Sequence, residues 1–122
     1  MKVLTEAECR KAMEEGEFIA PGTGPAGTGL VPTGPAAVIL TQSWCPQWKA
    51  MKSYLPEAER RLPGLDIFYV EYDLVPWFEE FMAFKETAFD NREIPYVRYY
   101  RDGTCTGWSN YVALEGFLRR LT

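Results

Sequence analysis

Histidine is absent from the 122 residues of this chain. Without an imidazole the protein cannot form a Cys–His dyad, a Ser–His–Asp triad or a zinc site built on histidine ligands. Three scattered cysteines are poor metal ligands by themselves. Hydrolytic and metal-dependent chemistry is therefore disfavoured, and we expect neither a metal nor a resident cofactor.

Cysteine is also scarce. The three residues of this type, Cys9, Cys45 and Cys105, are odd in number and widely spaced, so they indicate no disulfide framework. The first 18 residues carry alternating charges without an apolar run, which is not the pattern of a signal peptide. No segment reaches the length of a membrane span. We therefore expect a cytoplasmic protein with free thiols and no membrane partner.

The sequence has no surplus of positive charge. Thirteen Lys and Arg residues against 17 Asp and Glu give a net charge of −4 and a pI of about 4.9. This balance argues against a nucleic-acid partner. With 47% apolar and 25% charged residues the composition is that of a soluble globular protein. The length predicts a single domain over residues 1–122.

Residues 21–35 are rich in glycine and proline, which together make up nine of the fifteen. Such a composition predicts a long connecting loop. The residues before it, 1–20, are predicted to form a helix over 5–16 that starts with capping-box spacing, followed by a short strand. The loop leads into the main part of the domain, residues 36–122.

The loop contains a formal GxGxxG match at residues 22–27. A dinucleotide site needs a helix that opens on these glycines, so that free N–H groups face the pyrophosphate. Here Pro25 lacks an N–H group, and the next element has the pattern of a strand. The match therefore indicates a connecting loop.

Residues 36–122 alternate between strand and helix patterns. The first run, AAVILTQ, is nearly all apolar, which is typical of a strand covered on both faces. In the helix after it, Pro56 predicts a kink or a split. The predicted elements are a strand over 36–42, a helix starting at Ser43 or Trp44, a strand over 65–73, a helix from Pro76 to about Phe89, a hairpin turning at Asp102–Gly103, and a helix over 111–121.

Four segments of this region together resemble the thioredoxin superfamily. AAVILTQSWCPQWK is similar to the family's apolar strand followed by Trp-Cys-x-x-Cys-Lys, and LDIFYVEYD is similar to its next strand, which ends in Asp. IPYVRYYRDG is similar to its Ile-Pro, apolar strand and Asn/Asp-Gly turn, and SNYVALEGFL to its final helix. The resemblance covers residues 36–122. It implies an α/β fold, a thioredoxin-like three-layer sandwich with a central mixed β-sheet flanked by helices.

The resemblance also implies a redox site. Cys45 would be the catalytic thiol and Trp44 its shield. Ile94–Pro95 would be the cis-proline whose backbone pairs with the extended chain of a substrate. The remaining groove residues are those of the first turn after the cysteine, Pro46, Gln47, Trp48 and Lys49.

Two positions depart from the family pattern. Trp48 stands where a second cysteine would close a Cys-x-x-Cys pair, and Ile39 replaces a carboxylate that family members usually bury in the strand before the site. Cys45 still starts a helix, where unpaired N–H groups and the helix dipole favour a thiolate, and Lys49 adds positive charge. With no partner cysteine in the turn, attack on a disulfide stops at the mixed disulfide, so release needs an outside thiol such as glutathione.

Three functions stay open on these residues. The first is a thioredoxin-like monothiol redox protein that forms mixed disulfides through Cys45 with a protein or a low-molecular-weight thiol. The second is a non-catalytic thioredoxin-fold module that binds proteins and keeps a vestigial active site. The third is a redox sensor that dimerises through Cys45 or Cys9.

Two other features are expected to be structural. Cys105 follows Pro95 by a length of strand that covers roughly 26 Å, which is outside disulfide reach of the site, so we expect a small packed residue. The aromatic residues at helical spacing, Trp77, Phe81 and Phe84, are expected to lie in the core.

Overall fold

The computed structural model describes residues 1–18 and 34–122. Most of the predicted loop 21–35 lies outside the described residues, and so does the end of the short strand predicted before it. Of that loop, Gly34 and Pro35 are described. Pro35 is already the first residue of a strand, so the predicted end of the loop is too late.

The N-terminal residues form strand β1, Lys2–Val3, and helix α1, Glu6–Glu15. The helix lies where it was predicted because a capping box closes its first turn. The Thr5 hydroxyl accepts the Glu8 N–H, and the Glu8 carboxylate accepts the Thr5 N–H. The helix stops at Gly16, whose φ of 77° is a conformation that glycine adopts without strain. Strand β1 was not predicted, because two residues carry no periodicity.

One mixed sheet contains all five strands of the described residues. The other four are β2, Pro35–Thr41; β3, Asp66–Glu71; β4, Tyr96–Arg101; and β5, Thr104–Ser109. Their order is β1-β3-β2-β4-β5. Strands β1 and β2 run parallel to β3, whereas β4 is antiparallel to β2 and β5 is antiparallel to β4. The last pair is the predicted hairpin, turning at Asp102 and Gly103 with positive φ angles of 51° and 82°.

The described residues form three further α-helices. They are α2, Pro46–Arg61; α3, Phe78–Ala88; and α4, Leu114–Leu121. A short 3₁₀ turn, Tyr72–Leu74, precedes α3. Pro56 does not split α2, so that alternative is wrong. Leu55 and Ala58 are fully buried on either side of Pro56, and their burial offsets the roughly 3 kcal/mol that an interior proline costs.

The side chains of β2 alternate between two cores, one on each face of the sheet. The first core lies under α1 and α3, and the second lies under α2 and α4. Ala36, Val38 and Leu40 belong to the first core, and Ala37 and Ile39 belong to the second. The predicted three-layer arrangement is confirmed.

The predicted aromatic stripe on α3 is buried in the first core, as expected; its members are Trp77, Phe81 and Phe84. Across residues 1–18 and 34–122, no helix is both long enough and apolar enough to cross a membrane.

Candidate functional site

Cys45 lies at the junction between β2 and α2, as the N-cap residue of the helix. Its N–H donates to the Gln42 carbonyl at 3.2 Å, and its carbonyl accepts the Lys49 N–H at 3.1 Å. Pro46 occupies the first helical position, where a missing N–H removes no hydrogen bond. The residue is only 4% exposed. Its Sγ lies 3.8 Å from the Ile94 carbonyl oxygen, so the structure brings the predicted thiol and the predicted proline segment together.

The residues just before Cys45 are hydrogen-bonded to the 3₁₀ turn that follows β3. Asp73 accepts two hydrogen bonds from Ser43, from its N–H at 2.7 Å and from its hydroxyl at 2.6 Å. Gln42 accepts the indole N–H of Trp44 at 2.7 Å and donates to the Tyr72 hydroxyl at 3.4 Å. These contacts fix the backbone that leads into the helix, whereas the Trp44 ring remains 61% exposed. Sequence reasoning did not identify this support, although Asp73, the last residue of the predicted strand 65–73, was a signal for it.

Trp48 does not line a groove, which corrects the prediction made for it. Its side chain is 0% exposed and belongs to the second core. The indole N–H donates to Glu71 Oε2 at 2.8 Å, and the ring lies 5.5 Å from that of Tyr69. The reason is helical periodicity. Trp48 shares a helix face with Met51 and Leu55, and that face is the one packed on the sheet.

The carboxylate near the site lies on a different strand from the one expected in this fold. Ile39, at the expected position, is buried and pairs with Tyr69. Glu71, at the end of β3, instead binds the Trp48 indole and lies 3.8 Å from Lys52 Nζ. A hydrogen bond to a charged group is worth about 1.5–3 kcal/mol. The carboxylate therefore stabilises the position of Trp48.

The Ile94–Pro95 peptide bond is cis in the structure and directly precedes β4. Pro95 is buried, and Ile94 is half-buried and packs against both cores. The Pro95 carbonyl accepts a hydrogen bond from Asn110 Nδ2 at 3.1 Å. Sequence reasoning missed Asn110, because an asparagine beside a strand reads as an ordinary turn residue.

The other predicted groove residues lie on the exposed first turn of α2; they are Pro46, Gln47 and Lys49. Trp44 directly precedes Cys45 in the chain, and the Ile94 carbonyl lies against its Sγ. The role of these residues as a substrate surface stays a prediction.

The other two cysteines lie away from this site. Cys9 is fully buried in the first core, and burial together with the charges of Glu8 and Glu6 raises its pKa to about 12. Cys105 is half-buried and packs against the same core. Cys45 belongs to the second core, on the opposite side of the sheet. All three are free cysteines, and no group of three metal-ligating side chains occurs within the described parts of the chain.

A five-stranded mixed sheet with helices on both faces, and a cysteine that starts a helix beside Ile94–Pro95, define a protein of the thioredoxin fold. Solved thioredoxins share this architecture. Thioredoxin O1 from Arabidopsis thaliana matches with a TM-score of 0.63 and 15% identity, over 98% of this chain and 95% of that one. The Fasciola hepatica thioredoxin matches with a TM-score of 0.61 and 17% identity, over 100% of both chains.

A protein named Trxlp from Edwardsiella tarda matches with a TM-score of 0.60 and 18% identity, over 99% of this chain and 97% of that one. The sequence matches no protein-family model and no curated protein sequence. The likeness therefore establishes the fold, and the function is argued from the site.

Proposed function

We propose that this protein is a thioredoxin-like monothiol redox protein that forms mixed disulfides through Cys45. The observation that carries the proposal is the placement of a cysteine at the N-cap of α2, beside the Ile94–Pro95 segment. At such a position unpaired N–H groups and the helix dipole favour the thiolate. Trp48, buried and hydrogen-bonded, occupies the place of a resolving cysteine.

The chemistry is disulfide exchange. The Cys45 thiolate attacks one sulfur of a substrate disulfide, a new S–S bond forms, and the second substrate sulfur leaves with the electron pair and takes up a proton. A low-molecular-weight thiol such as glutathione then attacks the mixed disulfide and releases the Cys45 thiolate. A second equivalent of that thiol completes a net reduction of the substrate.

The proposed substrate surface consists of the exposed side chains of Trp44, Pro46, Gln47 and Lys49 together with the half-buried Ile94 and the Pro95 backbone. An extended segment of a protein, or a small disulfide, fits a surface of this kind. No resident cofactor takes part. The proposed compartment is the cytoplasm, where the thiol is kept reduced.

The test compares Cys45 in the folded and the urea-unfolded chain. Each cysteine is labelled with iodoacetamide at neutral pH, and the labelled peptides are resolved by mass spectrometry. A redox thiol reacts faster in the folded protein, because its activation outweighs its low exposure. Cys9 is the internal control and is protected by folding. A Cys45 that reacts more slowly when folded would contradict the proposal.

A second experiment identifies the product. Incubation with oxidised glutathione is expected to add one glutathione to Cys45 and none to Cys9. A Cys45→Ser variant is expected to lose this addition.

The second candidate is a non-catalytic binding module. It is favoured by the contrast between the nearly buried Cys45 and two exposed apolar side chains at the same junction, Trp44 at 61% and Leu74 at 67%. These two residues adjoin Ser43 and Asp73, which are hydrogen-bonded to each other. This function predicts that Cys45→Ser retains partner binding whereas Trp44→Ala loses it. Loss of partners in Cys45→Ser would contradict it.

A further inference from the structure

Two asparagines join the segment before β4 to the residue after β5. Asn91 Nδ2 donates to Asn110 Oδ1 at 3.1 Å, and Asn110 Nδ2 donates to Asn91 Oδ1 at 3.0 Å. Asn91 is 7% exposed and Asn110 is half-buried. A reciprocal amide pair of this kind fixes both side chains, because each supplies the donor and the acceptor that the other needs. We name Asn91 and Asn110 the amide clamp.

The amide clamp holds the backbone on both sides of Ile94. Asn91 Oδ1 accepts the Glu93 N–H at 3.0 Å. Asn110 Nδ2 is shared between the Pro95 carbonyl at 3.1 Å and the Glu93 carbonyl at 3.3 Å. Ile94 therefore lies between two fixed neighbours, and its own carbonyl oxygen is the group that lies 3.8 Å from Cys45 Sγ.

Lys85 anchors the clamp from α3. Its side chain is 1% exposed, its Nζ donates to the Asn91 carbonyl at 2.8 Å, and it lies 5.5 Å from the centre of the Tyr96 ring. Burial lowers its pKa to about 8, against the smaller opposing effects of Glu86 and Glu93. Burying an amine costs free energy. Here the hydrogen bond that the amine donates to the buried Asn91 carbonyl offsets part of that cost.

We propose that the amide clamp, anchored by Lys85, positions the Ile94 carbonyl against Cys45 and thereby restrains the reactivity of the thiol. The inference rests on the proposed function, because the amide clamp is proposed to set the reactivity of Cys45. A carbonyl oxygen accepts an S–H group but repels a thiolate, so its fixed presence favours the neutral form. Asn91, Asn110 and Lys85 are thus positioning residues. The carbonyl that they hold in place disfavours the thiolate, whereas the helix dipole favours it.

The test is the pH dependence of Cys45 alkylation in Asn110→Ala. This substitution removes the donor to Pro95 without changing any charge. The titratable groups around the junction, Lys49, Glu71, Asp73 and Glu93, therefore contribute equally to both profiles. We expect the midpoint of the rate profile to move to lower pH and the rate at neutral pH to rise about threefold to tenfold. A role limited to packing would change the maximal rate and leave the midpoint unmoved.

The matched control is Thr106→Ala, a polar-to-alanine change on the same hairpin. Thr106 contacts the Tyr99 carbonyl and none of the clamp residues, so the profile is expected to match that of the wild type. A second readout is hydrogen exchange at the Glu93 amide, which the clamp protects. Exchange is expected to be faster in Asn110→Ala and unchanged in the control. Asn110→Leu, which keeps a similar side-chain volume and stays uncharged but loses the amide donor, is expected to behave like the alanine variant.

An unmoved midpoint, or an unchanged Glu93 exchange rate, in Asn110→Ala would overturn the proposal. This outcome is separable from failure of the proposed function. If Cys45 reacts slowly in the folded wild type, a profile extended to alkaline pH still yields a midpoint for both chains, and the comparison between them still decides whether the clamp acts on the thiol.

Discussion

Each of the two cores of this protein contains one buried cysteine, and the two are nearly equally buried but lie in different surroundings. Cys9, in the first core, is 0% exposed, its N–H is bonded to the Thr5 carbonyl, and its pKa is raised to about 12. Cys45, at the margin of the second core, is 4% exposed and sits where a helix begins. Burial therefore does not separate the two thiols. What separates them in the structure is their surroundings: Cys9 lies within α1 close to Glu6 and Glu8, whereas Cys45 is the N-cap residue of α2.

The largest expected effect comes from opening the first core. Phe81→Ala removes a fully buried ring that contacts those of Tyr72, Trp77 and Phe84. It is expected to lower the free energy of unfolding by about 3–5 kcal/mol and to make Cys9 reactive towards iodoacetamide. Urea denaturation and cysteine labelling measure both. Leu74→Ala, at an exposed apolar side chain, is the control, and a loss below about 1 kcal/mol in Phe81→Ala would contradict the assignment.

The next effect depends on pH and concerns Lys85, which borders the first core. Its pKa is lowered from 10.5 to about 8, so the penalty for charging the buried amine is fully present below pH 8. It disappears as the pH rises towards 10.5, because the unfolded chain then binds more protons than the folded one.

Lys85→Met removes this dependence. The difference in unfolding free energy between variant and wild type is expected to shift by at most about 3 kcal/mol, in favour of the wild type, between pH 8 and 10.5. Denaturant titrations across this range measure it, with Lys11→Met, at an exposed site, as the control. A difference independent of pH would contradict the lowered pKa.

A third change tests how the second core holds Trp48. Trp48→Phe keeps an aromatic ring but removes the N–H that binds Glu71. The expected cost is about 1–3 kcal/mol, because the carboxylate loses a charge-assisted hydrogen bond. The double variant with Glu71→Gln should cost less than the sum of the two single changes. Additive losses in urea denaturation would show that the two side chains do not interact.

The smallest expected effect sharpens the comparison between the two thiols. Thr5→Ala removes the cap of α1, which carries Cys9, and is expected to cost about 0.5–2 kcal/mol. Labelling of Cys9 should accelerate while labelling of Cys45 in the folded state changes little. Thr87→Ala, at an exposed threonine of α3, is the control. Equal acceleration of both cysteines would mean that α1 does not open independently.

The sequence was sufficient to predict those features that are determined by neighbouring residues in one continuous stretch. The apolar run of β2, the proline in the first turn of α2 and the Asp102–Gly103 turn each act locally, so the sheet and its helices were predictable. The amide clamp was not, because Asn91 and Asn110 lie 19 residues apart and neither carries a pattern. The inward direction of Trp48 was available from its spacing to Met51 and Leu55, but the resemblance placed it in the groove instead.

The hydrogen bond between Trp48 and Glu71 has a consequence for the redesign of this chain. A second cysteine at position 48 would replace a fully enclosed indole by a much smaller side chain, leaving a void and a carboxylate with one fewer partner. A redesigned two-cysteine turn would therefore combine the change on α2 with a compensating change at Glu71 on β3.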